Sequence, residues 1–260
     1  YLTSSILFVF IALIPDFAIL RDNTTGLKKR IYTALAMGWQ GNARQWKLQI
    51  VAGILLSALI LPVFVSVHSI VSWDFGMAVS VKAWHSTVFA PYFVVGAVHS
   101  GVSAVIFALI LLRQAYGWQD YIRREHVEAL CRLLIVVSTG WFYYFCMEII
   151  FGIYGREADE VAIRTLQFLI YPWNWIMVFF IITTYFLPIF LWSRKVWRRN
   201  LVIVSIACIS VNIGMWFERY ILFVPGQINK QLFTFTWANY TPSIFEGIIV
   251  LGTFALVTLL

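Results

Sequence analysis

Long apolar runs separated by short polar stretches set the pattern of this chain, and the runs are long enough to cross a membrane. Seven stretches of about 17 to 25 mostly apolar residues stand out, at roughly 1–20, 48–71, 89–112, 127–154, 166–192, 201–224 and 244–260. Each run is mostly apolar along its length, and hydrocarbon admits only backbones that satisfy their own hydrogen bonds. The pattern therefore predicts an all-α fold, a polytopic transmembrane helix bundle with seven spans. One connecting segment is amphipathic. Across 28–39 the residues Ile31, Leu35 and Trp39 form a single stripe behind a basic start, which predicts a helix lying in the membrane interface. Trp73, Trp84, Trp118, Trp197 and Trp237 fall at predicted boundaries as an aromatic belt. Pro15, Pro62, Pro172 and Pro188 lie inside predicted spans, where they predict kinks whose freed carbonyls find partners on neighbouring helices.

Composition agrees, with 61% hydrophobic and 12% charged residues and a mean hydropathy of +0.83. Soluble domains carry about a quarter charged residues. The spans use up the chain, so 1–260 is expected to form a single integral membrane domain. The net charge of +7 does not point to nucleic acid, because the basic residues sit in short loops where they set orientation. Arg21, Lys28, Lys29, Arg30, Arg44 and Lys47 load the first loop. Arg113, Arg123 and Arg124 load the third, and Arg194, Lys195, Arg198 and Arg199 the fifth. The second and sixth loops hold only Lys82 and Lys230, and in the fourth Arg156 and Arg164 face Glu157, Asp159 and Glu160. This alternation makes 21–47 a cytoplasmic loop and 72–88 a periplasmic connection, with Tyr1 outside and Leu260 inside a bacterial inner membrane. Tyr1 opens directly into an apolar run with no basic stretch before it, which reads as a fragment and not as a signal peptide. Cys131, Cys146 and Cys208 show no CxxC spacing and read as small apolar residues.

Candidate chemistry concentrates in SVHSIVSWDFGMAVSVKAWHSTVFAPYFVVGAVHSG, residues 66–101, which holds three of the four histidines and an aspartate at the ends of two spans. Ionisable groups at the edge of hydrocarbon are expensive and mark functional sites. His68 is near the outer end of its span, whereas His99 lies about 15 Å below the start of the next, at 1.5 Å per residue. That mismatch disfavours a haem shared between them. His68, Asp74 and His85 follow no metal-ligand spacing, so no metal is expected. Oxidising a hydroquinone requires groups that hydrogen-bond two oxygens and accept two protons near neutral pH, which histidine and a buried carboxyl can do. His68, Asp74 and His85 are thus the candidate catalytic residues, with His68 and Asp74 as candidate quinol ligands. The plainer alternative has His68 bonding a neighbouring helix and Asp74 capping a short interfacial helix from Phe75. Gly96, Ser100 and Gly101 predict close packing around His99, with its ring reaching a partner backbone.

Deeper charges are few. Asp16 follows Pro15 in the first span, and Glu246 lies just inside the seventh. Glu148 lies in FCMEIIFG, and Glu218 and Arg219 are adjacent in GMWFERY. Charges at membrane depth face the bundle interior and pair. Adjacent helical residues point about 100° apart, so Glu218 and Arg219 are expected to seek different helices, with Glu148 as the partner of Arg219. A proton path and a structural ion pair both fit these three residues.

The segments LIPDFAILRD, YTALAMGWQGNARQW, SVHSIVSWDF, AWHSTVFAPYFVVGAVHSG and SVNIGMWFERYILF, in this order, resemble the large membrane subunits of bacterial alternative complex III. These belong to the NrfD/polysulfide reductase membrane-subunit family, and the resemblance is nearer to the C subunit than to its paralogue, the F subunit. It implies a haem-free subunit that oxidises menaquinol or ubiquinol and passes electrons to an iron–sulfur subunit on the periplasmic face. The subunit would work beside the paralogue and cytochrome c subunits in lipid, as part of an oxidoreductase and not as an enzyme alone. It also implies about ten helices, of which this chain holds the last seven, and places the histidine and aspartate of the family's quinol pocket ahead of Tyr1. His68 and Asp74 carry over as near-site or proton-path residues, and His85 less directly. Two rivals remain from the residues alone. One is a proton-conducting or transporter subunit without redox chemistry, and the other is a structural membrane anchor.

Overall fold

The computed structural model describes residues 2–78, 86–228, 240 and 242–259. Among these the chain is 86% helical with no strands, as an all-α polytopic membrane bundle requires. The helices are α1 (Leu2–Asp22), α2 (Gly26–Leu35), α3 (Ala43–Trp73), α4 (Phe89–Ala115), α5 (Arg124–Tyr154) and α6 (Ala158–Leu169), then α7 (Trp173–Ile181), α8 (Leu187–Ser193), α9 (Lys195–Arg198), α10 (Leu201–Ile228) and α11 (Ile244–Leu259). π-helical turns at Asp74–Ala78 and Ile182–Phe186 extend α3 and join α7 to α8. Six of the resulting rods are long and apolar enough to cross a membrane, and the seventh, α11, is shorter. The helices form two compact units, Tyr1–Val71 and Ser72–Leu260.

In the first unit α1 packs on α2, and the interfacial helix spans Gly26–Leu35. It stops short of the expected Trp39 because Met37 and Gly38 adopt positive φ, which ends a right-handed helix. Phe17 stacks on Tyr32 at 6.4 Å, fastening α2 to α1. Pro15 cannot donate to the carbonyl of Ile11. Gln49 of α3 takes its place, with Nε2 donating to Ile11 O at 3.2 Å.

In the second unit α10 is the central helix, contacting α4, α6, α7, α8, α9 and the π turn at Ile182–Phe186. The expected fifth span, 166–192, is divided. Residues 166–169 belong to α6, a separate amphipathic helix, and the membrane-length rod begins at Trp173. Pro172 causes the break, since a residue before proline is pushed out of helical conformation. Pro172 thus stands at a helix start and not inside a span. Pro188 shapes the π turn. Leu187 N–H reaches back five residues to Ile182 O, and the equivalent donor for Thr183 O would be the proline, which has none. Ser210 of α10 supplies it, its Oγ donating to Thr183 O at 2.8 Å. Pro225 in α10 frees Ile221 O in the same way, and Gln167 of α6 donates Nε2 to it at 2.8 Å. Three prolines are thus compensated by three polar side chains from other helices. Glu246 is explained locally. Ser243 and Glu246 form a capping box, with Glu246 N donating to Ser243 Oγ and Ser243 N to Glu246 Oε2, each at 3.3 Å.

Candidate functional site

The segment SVNIGMWFERY, residues 210–220 of α10, carries a series of polar and close-packing contacts to other helices of the second unit. Ser210 serves the π turn, and Asn212 Nδ2 donates to Ser103 Oγ of α4 at 2.9 Å. Gly214 faces Thr183 and Thr184, leaving no room for a Cβ, and Met215 lies against Gly96 of α4. Glu218 and Arg219 follow one turn later, while Ile213 and Trp216, on the opposite face, are exposed. Residues at spacings of three and four fall on one helical face, so this segment places a different function at each turn of the same seam.

Glu218 is 1% exposed. Its Oε1 accepts from the hydroxyl of Tyr92 in α4 and from the indole N–H of Trp141 in α5, the latter at 3.1 Å. Oε2 accepts no hydrogen bond and lies 3.6 Å from Arg219 NH1. The Arg219 guanidinium sits over the Phe93 ring, 4.2 Å from its centroid, a cation–π contact. Glu218 and Arg219 therefore do pair, at long range, while each also engages another helix. The expected pairing of Arg219 with Glu148 is not what the structure shows. Trp141 lies between the rings of Tyr92 (6.0 Å), Phe145 (5.6 Å) and Phe180 (5.7 Å), so the carboxylate is walled by aromatic surface. Next to this wall, His99 Nε2 shares a 2.8 Å hydrogen bond with Ser138 Oγ of α5. His99 thus meets a hydroxyl and not a backbone, and its buried Nδ1 has no hydrogen-bond partner.

Glu148 anchors a second buried cluster. Arg164 NH2 of α6 lies 3.5 Å from Glu148 Oε1 and 3.1 Å from Glu160 Oε1, while Ser86 Oγ donates to Glu148 Oε2 at 2.5 Å. Arg164 NH1 also donates to Gln167 Oε1 at 3.2 Å. Glu148, Glu160 and Arg164 are each no more than 5% exposed. Two carboxylates thus share one guanidinium, and Gly152 leaves the space in which the Glu160 and Arg164 side chains pass. Beside them is a pocket of about 140 Å³ lined by Ser86, Glu148, Glu157 and Glu160. It has room for a few waters at about 30 Å³ each and falls below the roughly 300 Å³ of an organic ligand site.

His68 belongs to the first unit, where its Nδ1–H donates to Phe64 O at 2.9 Å and the ring leans on Phe64 at 4.2 Å. Asp74 is exposed and opens the π turn that continues α3. It is therefore not the cap of a new helix, because the backbone ahead of it is already helical. His85 lies outside the described residues. No group of three or more His, Cys, Asp or Glu side chains is gathered as a metal site among the described residues. Tyr92, Trp141 and Arg164 do not emerge from the sequence as site residues. Trp141 had a signal, since a tryptophan in mid-span, away from the belt, needs an acceptor for its N–H.

The family model described as polysulphide reductase, NrfD, matches residues 2–230. The chain belongs to the NrfD family. No individual curated protein matches it. NrfD proteins are membrane subunits of quinone-linked oxidoreductase complexes, in which they interact with quinones and partner iron–sulfur subunits. The NrfD match runs across α10, so the Glu218 seam lies within the family's own region.

Proposed function

We propose that this NrfD chain is the quinol-oxidising membrane subunit of a respiratory complex of the alternative complex III type. In this reading it is a C-type subunit that passes electrons to an iron–sulfur partner on the periplasmic face and handles the released protons in its second unit. The observation that carries the proposal is Glu218, a carboxyl buried among aromatic rings with one oxygen held by two donors and the other unbonded beside Arg219. A carboxyl held in this way can take up a proton at Oε2 without losing its bonds at Oε1. The 140 Å³ pocket beside Glu148 suits water and protons and does not fit a quinol ring, so no quinol step is assigned there. A quinol, when bound, supplies two electrons and two protons. In the first unit, His68 donates Nδ1–H to Phe64 O, and its place as a quinol ligand rests on its residue type, since an imidazole can hydrogen-bond a quinol hydroxyl and take its proton. Asp74 stays a proposed quinol ligand, and Asp74 and His85 proposed catalytic residues, by residue type; the family resemblance supports His68 and Asp74 as near-site or proton-path residues and His85 less directly. The loop charges support an inner-membrane orientation with the Arg124 and Arg199 end cytoplasmic.

Glu218→Gln in the intact complex keeps a carbonyl acceptor for Tyr92 and Trp141 while removing the proton-binding oxygen. Quinol-driven reduction of the iron–sulfur partner is expected to fall about 100-fold, in the range of lost general acid–base catalysis, with thermal stability retained. Unchanged turnover and an unchanged proton-to-electron ratio would make Glu218 a structural acceptor only. In the same assay His68→Ala is expected to raise the KM for quinol, and an unaltered KM removes it from the quinol site.

A further inference from the structure

The basic end of the second unit carries a pocket that the redox reading does not use. It has a volume of about 380 Å³ and is lined by Arg124 at the start of α5, Val196 of α9, and Arg199, Asn200, Leu201 and Val202 leading into α10. Its charge is organised from below by Glu128, a buried carboxylate on α5. Glu128 Oε2 accepts from Arg199 Nε at 3.0 Å and Oε1 from Arg132 NH2 at 2.6 Å. One carboxylate thus fixes two guanidiniums, and Arg124 adds a third cation, so these four groups sum to a net +2. The bond to Glu128 occupies only Nε of Arg199, whose side chain remains 53% exposed. A guanidinium has further donors in a fixed fork that matches phosphate oxygens.

The same pocket is apolar on its other walls. Val196 is 78% exposed and Val202 63% exposed; Val202 stands in the first turn of α10, a helix of membrane-crossing length, and Val196 in the short α9 between that helix and the rod ending at Ser193. A soluble anion has no use for exposed valines beside its cations, whereas a phospholipid presents a phosphate and, one glycerol unit away, the start of its apolar acyl chains. Basic pockets between transmembrane helices bind anionic headgroups in this way. We infer that this pocket holds the phosphate of an anionic phospholipid, with Arg124 and Arg199 as the phosphate ligands and Val196 and Val202 against the first carbons of its acyl chains. The inference is independent of the quinol reading, since none of these residues has a part in it.

Native mass spectrometry of the intact complex, delipidated and then titrated with phosphatidylglycerol, tests the site. The wild type is expected to retain one tightly held lipid. Arg124→Gln with Arg199→Gln is expected to weaken retention roughly thirtyfold, the worth of two cations near an anionic headgroup. Because Arg199→Gln also strips a partner from Glu128, Val202→Trp is the second variant. It fills the pocket without changing charge and is expected to abolish retention while the fold survives. Arg194→Gln with Lys195→Gln removes two cations from the same loop outside the pocket and is expected to leave retention intact. Equal loss in this control, equal retention of phosphatidylcholine, or no loss in Val202→Trp would overturn the site. Displacement of the lipid by millimolar inorganic phosphate would reassign it to a free anion and overturn the lipid assignment.

Discussion

Arg164→Leu is expected to destabilise the second unit by about 3–5 kcal/mol, the range for breaking a buried ion pair by removing one partner. The arginine is a countercharge shared by Glu148 and Glu160, and its loss removes that charge from between two buried carboxylates. The damage should be local first. Helix α6 is held to the bundle by this cluster and by the bond from Gln167 to Ile221 O, so α6 should be the first element to expose its amides in hydrogen exchange. A test of cause is built in. Arg164→Leu combined with Glu148→Gln and Glu160→Gln removes the stranded charges together, and replacing a whole buried ionic set by neutral groups is often close to neutral. The triple variant should therefore recover most of the lost melting temperature. If the single variant melts like the wild type, the cluster does not hold α6. If the triple variant melts no higher than the single one, charge is not the reason.

Gly214→Ala carries the second large effect. A Cβ at this position would lie 2.7 Å from Thr183 Oγ1 and 2.9 Å from the backbone nitrogen of Thr184. A threonine side chain can rotate away, but a backbone nitrogen inside a helix cannot, so α10 has to move off the π turn. Overpacking of this kind costs about 1–3 kcal/mol, and the rigid neighbour places it at the upper end. The separation would also stretch the bond from Ser210 to Thr183 O and displace Glu218 one turn further along the same helix. Loss of thermal stability together with loss of turnover is the expected result, whereas Gly101→Ala, where a Cβ meets nothing within 4 Å, should change neither. Equal behaviour of the two variants would mean that the seam tolerates movement.

The spans were legible because hydrocarbon imposes one requirement on every residue in them, and the loop charges carry an independent signal of the same alternation. Helix α6 was not legible as a separate element. Its end, residues 166–169, is apolar but for Gln167 and runs on through Ile170 and Tyr171 into the next rod, so hydropathy merges the two, and only Pro172 marks the join. That merger hid Arg164, which reads as one loop charge among several until α6 lays it against α5. The Glu218 site was half legible. A carboxylate deep in a span announces itself, but its donors lie 126 and 77 residues away in sequence and carry no charge. Glu148 was paired with the wrong arginine for a related reason. Depth along a helix can be counted from the sequence, whereas the direction a side chain faces depends on where its neighbours are packed.

The π turn at Ile182–Phe186 also solves a problem of phase. The buried positions on this rod after Phe180 are Thr184, Pro188 and Trp192, at steps of four. Three turns of a plain α-helix take about 10.8 residues at 3.6 per turn, so a face repeating every four would drift by more than one residue and roll Trp192 out of the bundle. The widened turn absorbs one residue and cancels the drift. A plain α-helix through 182–186 with no residue removed would have a more regular hydrogen-bond ladder and its last two buried side chains, Pro188 and Trp192, turned about 100° away from the helix they pack against.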